Sequence, residues 1–145
     1  MRLIVRALDG VSGEMPNGFH GSREAWDRIE APLRPLDPAL EAFARQHGMS
    51  LGRNYHNWPE RSLRWGKPVN RLIQIYLEDE DQLTWNVWLC ASEDRSSGRY
   101  WRREFLRQAV SIREIGGDLT ALLEEARQTV EGWSAQDLEF ATKLR

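Results

Sequence analysis

Between residues 71 and 90 the chain alternates apolar and polar positions with a period of two. In RLIQIYLE (71–78), Ile73, Ile75 and Leu77 alternate with Leu72, Gln74 and Tyr76. In LTWNVWLC (83–90), Leu83, Trp85, Val87 and Leu89 alternate with Thr84, Asn86, Trp88 and Cys90. Such a period sends one row to each face of a strand. A hairpin joining the two segments must put both apolar rows on one face, so opposed residues pair odd with odd, as Ile75 with Val87. That parity predicts a loop of three or five residues around 79–83, and the absence of glycine favours five. Period-two patterns also predict strands near 2–8, 49–55, 62–66 and 99–107.

Helical spacing marks the remaining segments. Ser22 is placed to cap a short helix containing Ala25, Trp26 and Ile29. Asp37-Pro38 opens a second helix, with proline at its first position, Leu40, Phe43 and Ala44 inward, and Gly48 as the stop. Gly117-Asp118 opens a third, in which Leu119, Leu122, Leu123, Ala126 and Val130 form one stripe that ends at Gly132. Ser134-x-x-Asp137 resembles the capping box of a last helix, with Trp133 and Leu138 as its hydrophobic staple. The expected order is β-α-α-β-β-β-β-β-α-α. It describes one α+β domain over residues 1–145, a central antiparallel meander of five to six strands with helices packed on one face.

Trp88 is the anomaly in this pattern, because it is a large aromatic on the polar row. Leu63 and Trp65 point inward in the preceding strand and Arg64 outward. In the last strand Trp101 and Phe105 fit the core row, with Arg103 as a misfit, while Tyr100, Arg102 and Glu104 fit the other. The face away from the core is therefore expected to carry Arg64, Gln74, Tyr76, Asn86, Trp88, Tyr100 and Arg102. Nine of the chain's 14 aromatics lie between Tyr55 and Phe105, so the enrichment belongs to the sheet. Tyr, Trp and Arg supply large contact areas at protein interfaces. The leading expectation is a non-catalytic module binding a protein partner or a second copy of itself as a homodimer. A small-molecule site ranks second, and stacking of single-stranded RNA on the face third.

Charge changes this ranking little. The formal net charge is −2, which gives no general attraction to nucleic acid or anionic membrane, and Glu104 lies within the expected face. The middle of the chain is mildly basic, with 11 basic and 8 acidic residues over 53–113. Arginine outnumbers lysine heavily, but a GC-rich coding sequence produces the same bias. One cysteine, Cys90, excludes an internal disulfide and fits a reducing compartment. MRLIVRALDG lacks the form of a signal peptide, and no apolar run suits a membrane span, so a cytoplasmic protein is expected.

Candidate chemistry is sparse. The glycine-punctuated loop DGVSGEMPNGFHG has neither phosphate-loop nor dinucleotide spacing and reads as a surface loop or lid. His20, His47 and His56 show no metal-ligand spacing, and no cofactor or catalytic set is indicated. The acidic run at 78–81 reads as a solvated hairpin tip. The segment NYHNWPERSLRWGKPVNR (54–71) mixes amides, arginines and aromatics. It supplies the alternative small-molecule site: Asn54, His56, Asn57, Trp58 and Arg61.

Overall fold

In the computed structural model, residues 15–54, 57–66, 69–92 and 102–133 are described. The expected first strand at 2–8 and the last helix after Ser134 lie outside them. Helix α1 (Arg23–Glu30) starts where Ser22 Oγ accepts from Ala25 N at 3.0 Å, and it buries Trp26 and Ile29. A 3₁₀ segment, Ala31–Leu36, leads directly into α2 (Asp37–His47). Its two prolines remove N–H donors, while Leu33 and Leu36, three apart, eclipse on the buried side. Helix α2 buries Leu40, Phe43 and Ala44 and stops at Gly48, which takes the left-handed φ of 66° required there.

Five antiparallel strands follow: β1 (Ser50–Arg53), β2 (Glu60–Trp65), β3 (Asn70–Asp79), β4 (Thr84–Ser92) and β5 (Arg102–Val110). They lie in the sheet in chain order, so the described sheet is a simple meander. Two helices close the described chain, α3 (Ile112–Gly116) and α4 (Leu119–Gly132). Helix α3 starts at a reciprocal capping box between Ser111 and Glu114. Asp118 caps α4, and its five expected stripe residues are all buried. The fold is thus α+β, with the core between helices and one sheet face. That face presents Leu51, Leu63, Ile73, Ile75, Leu77, Trp85, Val87 and Leu89.

The expected parity of the central hairpin holds, with Ile75 opposite Val87. Its loop differs. A bulge at Glu78 shifts the pairing from Leu77–Trp85 to Asp79–Thr84, so four residues, 80–83, make the turn. Asp79 Oδ1 accepts from Asp81 N at 2.8 Å and Gln82 N at 3.1 Å, organising the turn without glycine. Leu83 takes the remaining cost, a φ of 53°, while packing against the core.

The parity of β5 is the main correction. The strand pairs Trp88 with Phe105, Cys90 with Arg103, Leu89 with Glu104 and Ala91 with Arg102. Arg103 and Phe105 therefore share the face of Trp88, and Arg102 and Glu104 share the helix side, the reverse of expectation. Bulges between Trp85 and Trp88 flip the register within one strand. Asn86 holds the distortion at one end. Its Oδ1 accepts from Ala109 N at 2.8 Å, and Ala109 sits at a φ of 53°.

Candidate binding face and adjoining cleft

Strand register builds the face opposite the helices from cross-strand pairs: Glu60 with Tyr76, Ser62 with Gln74, Tyr76 with Asn86, Gln74 with Trp88, and Trp88 with Phe105. At its centre the Trp88 ring meets Phe105 with centroids 3.8 Å apart and an interplanar angle of 30°. The Arg103 guanidinium carbon lies 3.8 Å from the same ring centroid. Trp88 is half-buried under these two neighbours on β5, whereas Phe105 is 40% exposed. A phenyl and a cation on an indole are each favourable contacts, so the cluster is held before any partner arrives.

The rest of the face is polar and tied down. Gln74 Nε2 donates to Glu60 Oε2 and Asn86 Nδ2 to Glu78 Oε2. Burial raises the Tyr76 hydroxyl pKa above its ordinary value; the Glu60 carboxylate adds to the rise and Arg103 opposes it. Cys90 is buried below the cluster, and burial pushes its thiol up to about 11 against the opposing charges of Arg103 and Arg64.

Of the expected face residues, Arg64, Gln74, Tyr76 and Trp88 are half-buried on this side, and Asn86 is buried with both amide groups engaged. Arg102 is not a member. Its guanidinium lies 4.4 Å from the Trp133 ring on the helix side. Tyr100 lies outside the described residues. Phe105 and Arg103 were missed because strict alternation cannot register a bulge.

The alternative site divides in two. Arg61 and Asn54 turn inward to a buried ionic cluster. Arg61 donates through Nε to Asp37 Oδ1 (2.6 Å), through Nη1 to Asn54 Oδ1 and the Glu60 carbonyl (both 2.9 Å), and through Nη2 to Glu30 Oε2 (2.8 Å) and Asp37 Oδ2 (3.2 Å). All five guanidinium N–H groups are used. Asn54 Nδ2 donates to Glu30 Oε2 at 3.3 Å, and Arg34 Nε reaches Glu30 Oε1 at 2.6 Å. The Arg34 pKa is raised, first by its hydrogen bond to Glu30. This cluster pins α1 and α2 to β2. Parity held the signal, since Arg61 shares a row with Leu63 and so needs inward carboxylates.

Asn57 and Trp58 instead line an open cleft of about 510 Å³, together with Gly18, Phe19, His20, Gly21, Ala25, Arg28 and Glu80. Trp58 joins cleft to sheet face, its ring 6.3 Å from that of Tyr76. His56 lies outside the described residues. No helix among the described residues is long and apolar enough to cross a membrane. No family model, curated protein or solved structure matches the chain. The geometry stands alone.

Proposed function

We propose that the chain is a non-catalytic binding module, and that the face opposite its helices docks a protein partner or a second copy. The observation that carries this reading is Phe105. It is the large apolar side chain among the described residues that stays exposed, and it rests on Trp88 and beside Arg103. An aromatic anchor braced by a second aromatic, with one guanidinium on that second ring, matches the composition of interface hot spots. The half-buried polar neighbours, Gln74 and Tyr76, suit the rim.

Base stacking is less well supported, because the Trp88 ring is already in contact with Phe105 and Arg103 and the face also carries Glu60 and Glu78. The test compares Phe105→Ser and Arg103→Glu with the parent chain by sedimentation velocity and by quantitative affinity purification. Both changes remove a contact to Trp88, so each should cost about 1–2 kcal/mol at most and leave the chain folded. They should reduce self-association, or recovery of one reproducible partner, by about ten-fold, the scale of one hot-spot residue. Unchanged association in both assays removes the proposal.

A further inference from the structure

We propose that the cleft beside α1 binds a small zwitterion with an apolar side group, of the free amino-acid type. Its carboxylate meets the Arg28 guanidinium, its ammonium meets the Glu80 carboxylate, and its side group lies between Phe19 and Trp58. This inference is independent of the sheet-face proposal.

Four observations converge on that chemistry. The cleft, at about 510 Å³, falls within the roughly 300–1,000 Å³ of small-molecule sites. Among the described residues, its lining contains one guanidinium and one carboxylate, Arg28 and Glu80, beside the His20 imidazole. Arg28 Nη1 donates to the Glu80 carbonyl at 2.6 Å, which fixes the two residues side by side and leaves the Glu80 carboxylate outside that bond. Trp58 and Phe19 supply the aromatic side chains of the described lining, an apolar surface for the side group.

The wall is also built by glycine. A Cβ at Gly18 would fall on the Asn57 amide, and one at Gly21 would come 2.7 Å from the Phe19 ring. Side chains there would push apart the surfaces that form the cleft. Charge then selects among ligands. A simple anion pairs with Arg28 but leaves Glu80 unmatched, and a simple cation pairs with Glu80 but leaves Arg28 unmatched. A molecule carrying both charges satisfies both.

The experiment titrates the full chain with L-phenylalanine, phenylpropionate and phenethylamine while following the Trp58 indole N–H resonance. The signal is assigned among the seven tryptophans by its loss in Trp58→Phe. L-Phenylalanine should move the resonance, and the two singly charged analogues should bind about ten-fold or more weakly. Arg28→Gln and Glu80→Gln should each weaken L-phenylalanine by a similar factor. Gly18→Val should abolish binding without removing a charge. Since Arg28 also bridges α1 to the hairpin, Glu80→Gln, which keeps the carbonyl acceptor, decides the matter if Arg28→Gln unfolds. The proposal is overturned if L-phenylalanine leaves the resonance unmoved at ~10 mM, a level weaker than millimolar affinity. It is equally overturned if either analogue matches L-phenylalanine, or if the shift survives Glu80→Gln.

Discussion

Replacing Arg61 with methionine tests the buried cluster most sharply. Methionine retains much of the aliphatic volume but removes all five donors. Glu30, 0% exposed, would keep Arg34, while Asp37 would lose both its Arg61 hydrogen bonds and keep the longer contact to Arg53 at 3.8 Å. Breaking a buried pair by removing one partner costs about 3–5 kcal/mol, because the other charge stays desolvated. Against a total stability of roughly 5–15 kcal/mol, that is a fifth or more of what holds a domain this size. With a urea slope of about 1–3 kcal/mol/M, the unfolding midpoint should fall by roughly 1–5 M. Adding Glu30→Gln should recover part of the loss, a coupling of about 1 kcal/mol or more. If the midpoint falls by less than ~0.5 M, or if the second change brings no recovery, the cluster does not act as described. Arg61 would then return to the ligand role its neighbourhood first suggested.

Two further outcomes follow from local geometry. The Cys90 thiol keeps its proton in the fold up to about 11, whereas the unfolded chain loses it near 9.0. Its contribution is complete below pH 9 and is lost as pH rises toward 11, about 3 kcal/mol in all. Chemical unfolding at several pH values should show this slope, Cys90→Ala should flatten it, and thiol reagents should label the native chain only as it opens. Gly48→Ala places a Cβ at a φ of 66° with open space around it, so the cost is backbone strain alone. It should lower stability by about 1–2 kcal/mol in a thermal or urea melt, and Gly132→Ala, with no such φ, should not.

Period and parity carried much of the architecture. The odd-odd register of β3 and β4 follows from Ile73, Ile75 and Leu77 needing the same face as Trp85, Val87 and Leu89. Gly48 and Ser22 marked real helix ends, because each performs a backbone task few other residues manage. The failures have equally physical causes. Bulges at Glu78 and in β5 insert residues that alternation cannot count, which shortened one turn and reversed one strand. Arg103 looked like a misfit in the core row only because the row had been assigned to the wrong face. The Ser111-x-x-Glu114 box lay readable in the sequence, but α3 is too short for periodicity to flag it. Arg61 and Asn54 resembled recognition chemistry because residue type cannot distinguish a ligand partner from a buried one. Their partners Glu30 and Asp37 come from distant helices.

The central claim is that the Trp88–Phe105–Arg103 face docks another protein surface. A photo-crosslinking amino acid placed at Phe105 tests it in the full chain, with the same group at the exposed Glu125 on the helix side as reference. Illumination should give one discrete adduct, with a partner or a second copy, from position 105 alone, and Arg103→Glu should suppress it. No adduct from position 105, or equal yields from both positions, would contradict the account.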